Sequence, residues 1–427
     1  MNEDKEMRAK TGLMRAGFAV ILFVLGGALQ SAWGQTCNFY VSPTGSDSNA
    51  GTLAAPWQTV EKAFTDSSVV GGCTAYFMEG VYSTGTSYVA NNCGVGTSDG
   101  GHDEYSQVLT KSGSSGNPIT FTNYPGQVAI IQGDTRIGTS SCSVSYVTFQ
   151  GTPALATGAW GLVFEQCPLT TAPCPAQSTP EDVIDVMYSH YVTFNNVEIR
   201  YGNYHAGFYQ YSGDNIQLLN SYIHDNGCPP SSSCPVDGTN SINNDNGVYW
   251  DATTGGGNVI ANCVIENNVA QGLQLYSGTS GQPQNVTVEE NTIANNQNWG
   301  IALSGQNNNI ANNILQNNGS GKTSGGVNVD NYGMKVVVAT QISGQNIFVI
   351  DSNVSVCTLS SSVCRSGIYY SVGPAIDTNT IQQDAKFVDA VAGYVLPPAV
   401  DGSSQLSVTV REPRVYYPEH KLRAVDR

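Results

Sequence analysis

Tyr209, Tyr211, Tyr249, Gln274, Tyr276 and Asp251 occupy alternate positions after a glycine in three successive segments between Gly207 and Tyr276. In a strand, alternate residues share one face, so these side chains would stand side by side. Rings flanked by Asp and Gln suit a sugar, whose CH faces stack on aromatics while its hydroxyls need donors and acceptors. Ionisable residues surround the patch. His205 precedes the first strand, His224-Asp225 and Asp245 lead into the segment carrying Tyr249 and Asp251, and Arg200 lies upstream. Removing the proton alpha to a uronate carboxylate needs a base and a positive group or cation for the enolate. Asp245, Asp251, His224 and Arg200 are the candidates for that chemistry, with His205, Gln274 and the four tyrosines as substrate-binding groups. Asp225, Asp245 and Asp251 would supply oxygen ligands for calcium, or a carboxyl pair for hydrolysis. Each Asp also has a competing role as a turn former, and each Tyr as a strand former.

A repeat must position these residues. A Gly followed by alternating apolar residues recurs as Gly207-Phe208, Gly247-Val248, Gly272-Leu273-Gln274-Leu275, Gly300-Ile301-Ala302-Leu303 and Gly326-Val327-Asn328-Val329, spaced 40, 25, 28 and 26 residues apart. With it runs an Asn-x-x-Ile/Leu-x-x-Asn phrase at Asn220/Ile223/Asn226, Asn262/Ile265/Asn268 and Asn312/Leu315/Asn318. Repeats of about 20–50 residues mark solenoids, propellers or arrays. Period-two alternation in short pieces cut by Gly/Asn/Ser turns makes the units strands. A coil that cannot bury its own core must stack on the next. The expected fold is all-β, a right-handed parallel β-helix of roughly ten coils, and a monomer. First and third residues after each Gly should face inward, second and fourth outward, with Trp250 an odd inward residue. The Asn columns read as structural ladders in which stacked amides satisfy one another.

Composition agrees with turn-rich β structure: only 12% of residues are charged, and 47 of 427 are Gly. Residues 1–34 read as a secretory leader, with Arg15, the apolar run Phe18–Leu25 and a small-x-small cleavage site at Ala32-Trp33-Gly34. That run is too short to span a bilayer, and no later stretch is long or apolar enough. The mature chain keeps 13 basic against 30 acidic groups, which excludes a phosphate-tracking nucleic-acid binder. Binding a polyanion would then need a bridging cation or a locally basic cleft. All eleven Cys follow the leader, in a compartment where disulfides persist. Cys167/Cys174, Cys228/Cys234, Cys357/Cys364, Cys37/Cys73 and Cys93/Cys142 are the expected pairs, and Cys263 the remaining thiol, a core filler. No CxxC or His/Cys cluster suggests zinc.

Residues 35–118 read as an N-terminal cap and loop region, 119–392 as the β-helix, and 393–427 as a poorly ordered basic tail. In the cap, Phe39-Tyr40-Val41-Ser42-Pro43-Thr44-Gly45-Ser46-Asp47, Gly51-Thr52, Pro56-Trp57 and Thr59-Val60-Glu61-Lys62-Ala63-Phe64 read as a strand, a turn and a short helix N-capped by Thr59. This stretch strongly resembles the N-terminal signature of secreted pectate-lyase-like right-handed β-helix proteins, and Pro118-Ile119-Thr120-Phe121 and Ile130-Ile131-Gln132-Gly133 resemble the coil that follows it. The resemblance implies the fold and a secreted, carbohydrate-active protein, with a polysaccharide as partner. Lyase action on an acidic polysaccharide is the favoured activity; glycan binding without catalysis, or hydrolysis, are the alternatives. The lysine-base branch carries an Asp-Asp before a coil glycine, where this chain has Ala270-Gln271-Gly272. The hydrolase blocks are missing, and Gly207-Phe208-Tyr209 replaces the epimerases' Asp-Pro-His.

Overall fold

The computed structural model describes residues 37–83, 107–153, 160–166, 182–202, 205–227, 245–276 and 283–319, and the backbone of strands between Tyr332 and Gln383. The leader, the 393–427 tail, Cys93 and the three loop Cys pairs lie outside the described residues. Met1–Cys37 is a unit apart from Asn38–Arg427. The second unit winds repeatedly through three sheets of eleven, ten and nine described strands. Every described strand pairing is parallel and joins one coil to the next, as in Ile184↔Phe208, Phe208↔Val248 and Val248↔Leu273. The chain is a parallel β-helix. No described helix is long and apolar enough to cross a membrane.

Inward positions form the core. Phe121, Phe149 and Phe194 stack at centroid separations of 5.2 and 4.5 Å, and Phe208 stacks on Trp250 at 5.8 Å. Trp250 does face inward, beside Gln210 of the preceding coil, and both are fully buried. The α1 helix (Val60–Thr65) buries Val60, Ala63 and Phe64, with Phe64 edge-on to Phe121. Its start is fixed twice. Thr59 Oγ1 accepts from the Lys62 amide, and Asp47 accepts from the Gln58 and Thr59 amides. Gly45 is required where it is, because a Cβ there would come within 2.2 Å of the Trp57 carbonyl.

The Gly and Asn phrases prove to be two sides of one ladder. Asn226 Nδ2 donates to Asn268 Oδ1, Asn268 to Asn296 and Asn296 to Asn318, each at 2.9 Å in the buried interior. A Cβ on Gly207, Gly247 or Gly272 would stand 2.6 Å from the Asn226, Asn268 or Asn296 amide. Asn220, Asn262 and Asn312 do something else, holding turns at φ between 50° and 57°, a region Asn tolerates. The fifth Gly phrase is misplaced by the sequence pattern. Ile301 pairs with Met334 and Leu303 with Val336, so Tyr332–Val336 takes that place, and Gly326 lies outside the described residues. Cys37, Cys73 and Cys142 are disulfide-bonded. Cys263 is a free, buried thiol whose pKa burial pushes up to about 12.

Candidate functional site

Outward positions of the nine-stranded sheet form a column. Register pairs Arg136 with Asp185, Asp185 with Tyr209, Tyr209 with Tyr249 and Tyr249 with Gln274, at a spacing of about 4.8 Å. The alternate residues Ile184, Val186, Phe208, Val248 and Leu273 are sealed in the core, which fixes the faces as the alternation predicts. Arg136 Nη2 lies 2.9 Å from Asp185 and 3.8 Å from Asp134. Asp182 precedes the same strand. It accepts from the Ala206 amide, lies 3.2 Å from His205 Nδ1 and hydrogen-bonds Asp185. Burial first, and the neighbouring Asp185 second, hold its pKa well above the usual carboxylate value, so Asp182 keeps its proton where ordinary carboxyls are ionised.

His205 sits edge-on to Tyr209 and Tyr249, at 4.7 and 4.6 Å between ring centroids. Burial lowers its pKa against the opposing pull of Asp185, Asp251 and Asp245, which leaves a neutral imidazole at neutral pH. The Tyr209 hydroxyl donates to Asp251 Oδ2 at 3.2 Å, and Gln274 hydrogen-bonds Tyr249. Burial, then Asp251, raises both phenols, so both remain proton donors. Tyr211 extends the platform, 6.4 Å from Tyr209 and edge-on to Tyr188 at 5.3 Å. Tyr276 stands near enough to raise the Tyr249 pKa. The patch thus holds a proton acceptor between two proton donors, on a surface of rings.

Arg200 and His224 are not brought to it. They face outward from the ten-stranded sheet, in a column reading Glu165, Arg200, His224, Glu266. Arg200 bonds Glu165 and Glu198, both at 2.7 Å, and His224 bonds Glu198 at 2.9 Å and Asp225 at 2.7 Å. Their expected place beside Asp251 is therefore corrected: their charges are met by carboxylates of their own sheet. Asp225 is likewise a turn residue at φ 52°, its carboxylate committed to His224. Asp245 does lie within electrostatic reach of His205.

Among the described residues no three His, Cys, Asp or Glu side chains converge so as to hold a metal ion. Asp225, Asp245 and Asp251 do not form the expected calcium site, because the turn carrying Asp225 points its carboxylate at another sheet's network. The donor oxygens suit calcium chemically, but the residues as arranged do not fit it.

Sequence reasoning missed Arg136, Asp182 and Asp185. The signal was present in the alternation Ile184-Asp185-Val186, one coil before Phe208-Tyr209-Gln210. It escaped because that strand has no leading glycine, Val183 standing in its place.

A family profile described as the Pel9A-like right-handed β-helix region matches residues 39–348. A curated pectate lyase, PEL9 of Emericella nidulans, is 33% identical over 102 residues, which are 24% of this chain and 20% of that protein. The match therefore spans a fifth of the length of that relative. The crystal structure of pectate lyase Pel9A superposes with a TM-score of 0.51 at 16% identity, covering 83% of this chain and 80% of that one. A rhamnogalacturonan lyase gives a TM-score of 0.43 at 17% identity, over 78% and 72% of the two chains.

Proposed function

This chain belongs to the Pel9A-like right-handed β-helix family, and from that premise we propose that it is a secreted polysaccharide lyase that cleaves a uronate-containing polysaccharide by β-elimination. The observation that carries the reading is His205, neutral and held between the rings of two protonated tyrosines. In β-elimination a base takes the proton alpha to the uronate carboxylate, the electron pair forms the new C=C bond, and the glycosidic oxygen leaves with a proton. His205 is the group in the patch suited to take that proton. Tyr249 or Tyr209 is suited to give one to the leaving oxygen. Asp182, which keeps its proton, and Arg136 are buried beside the patch, and Arg136 is the positive group whose field would oppose the charge building on the substrate carboxylate. The sugar rings would lie over Tyr211, Tyr209, Tyr249 and Tyr276. No step is assigned to a metal ion.

One observation favours glycan binding without cleavage. Arg136, the cation of the column, is already paired with Asp185 and Asp134, so a polyanion gains less from it. Incubation with pectate, alginate and glycosaminoglycans, with and without added calcium, separates the readings. A lyase raises the ultraviolet absorbance of unsaturated uronate on at least one of them. New reducing ends without that absorbance would mean hydrolysis, and retention without either would mean binding alone.

A further inference from the structure

A groove lies away from the tyrosine patch, at the corner where the eleven-stranded sheet turns into the ten-stranded one. It has a volume of about 410 Å³ and is lined by Trp160, Gln150, Asn195, Asn220, Val264 and their neighbours, with no ionisable side chain among them. We propose that this groove is a separate carbohydrate-binding site that takes a neutral segment of a polysaccharide.

Three features point there. First, the side chains facing the groove form an outer amide row: Asn195 Nδ2 donates to Gln150 Oε1 at 2.8 Å, and Asn220 Nδ2 to Asn195 Oδ1 at 2.7 Å. Each amide has more donor and acceptor sites than these bonds use, and sugar hydroxyls need both kinds at once. The rungs repeat at the strand spacing of about 4.8 Å, a periodic surface that suits a repeating polymer. Second, only part of the row is demanded by turns. Asn196, Asn220 and Asn262 serve turns with positive φ, but Gln150 and Asn195 end ordinary strands. The fully buried Asn226–Asn318 ladder already supplies the coil's internal amide stacking. Third, Trp160 brings an aromatic ring to the groove, backed by Tyr222 at 6.3 Å and nearly parallel to it. Its indole N–H and the Thr152 hydroxyl make no hydrogen bond within the protein. An aromatic ring beside a row of amides, free of charge, selects hydroxyls over carboxylates.

This inference does not depend on the lyase reading, since the two sites lie on different sheets. Native gel electrophoresis through embedded neutral galactan, arabinan, xylan or galactomannan tests it. At least one of these should retard the parent protein. Trp160→Ala should weaken that retardation by about tenfold, Asn195→Ala should weaken it less, and His205→Gln should leave it unchanged. Near-ultraviolet circular dichroism identifies any variant that fails to fold, and Asn195→Ala then carries the test. If no neutral glycan retards the parent, or if folded Trp160→Ala and Asn195→Ala both behave as the parent does, the proposal is overturned. Failure of uronate cleavage would leave the retardation untouched.

Discussion

Asp182 Oδ2 lies 3.2 Å from His205 Nδ1, and burial pushes both partners toward their neutral forms. The contact looks like an ion pair by distance, yet the carboxyl is pushed up and the imidazole down. That is the opposite of what a charged pair would do to itself. The difference decides what pH and mutation will do.

Asp182→Asn should stabilise the protein at neutral and alkaline pH. The folded pKa of Asp182 is raised above its unfolded value of about 3.9. As pH rises past that value the unfolded chain gives up the proton readily and the native state does not. Stability therefore falls with pH until the folded pKa is passed. Asn cannot lose a proton, and its amide can accept from Ala206 and donate to the groups Asp182 faces. Thermal unfolding from pH 4 to pH 8 should show a difference between variant and parent near zero at the acid end and growing in the variant's favour.

His205→Gln should abolish most lyase activity. Loss of a general base costs about 10²- to 10⁴-fold in turnover, and Gln keeps a polar group between Tyr209 and Tyr249 without a base. Because burial lowers the His205 pKa below the ordinary value of about 6.5, the parent should keep its activity somewhat below that pH before protonation switches it off. A rate profile whose acid limb lies clearly above pH 6.5 would assign the base elsewhere.

Asn268→Ala should be among the most destabilising single changes. Asn268 Oδ1 accepts from both the Asn226 amide and side chain, and its own Nδ2 donates to Asn296. The truncation removes three buried hydrogen bonds and leaves the Asn226 backbone amide without its acceptor, an unsatisfied buried group that alone costs about 1–3 kcal/mol. Urea unfolding should show a loss of at least about 3 kcal/mol. Asn220→Ala, at an exposed turn, should cost far less.

The repeat made the architecture legible because its physics is local. Alternation set Phe208 and Val248 inward and Tyr209 and Tyr249 outward, and the N-cap at Thr59 was readable from a few residues. The site was legible only where a glycine marked the strand. Asp185 and Arg136 belong to the same column as Tyr209, but register across coils, not spacing along the chain, puts them there. Arg200 and His224 misled for the converse reason. Close to the patch in sequence, they precede the turn into the nine-stranded sheet and so face outward from another one. The same turn chemistry explains Asp225, which position alone could not distinguish from a ligand.

His224→Gln should change stability and leave cleavage within about threefold of the parent. Burial alone would lower the His224 pKa, but hydrogen bonds to Asp225 and Glu198 outweigh it and raise the value above the ordinary one. A raised folded pKa means that this contribution is complete below the unfolded value of about 6.5 and is lost as pH climbs through the folded one. The melting temperature of the variant should therefore fall furthest below the parent's in mildly acid buffer, with the gap closing toward alkaline pH. Arg200, tied to Glu165 and Glu198, should behave alike in Arg200→Ala, destabilising because two buried carboxylates lose their cation. A hundredfold fall in turnover at unchanged fold in either variant would place the ten-stranded sheet's network in the reaction and overturn its separation from His205.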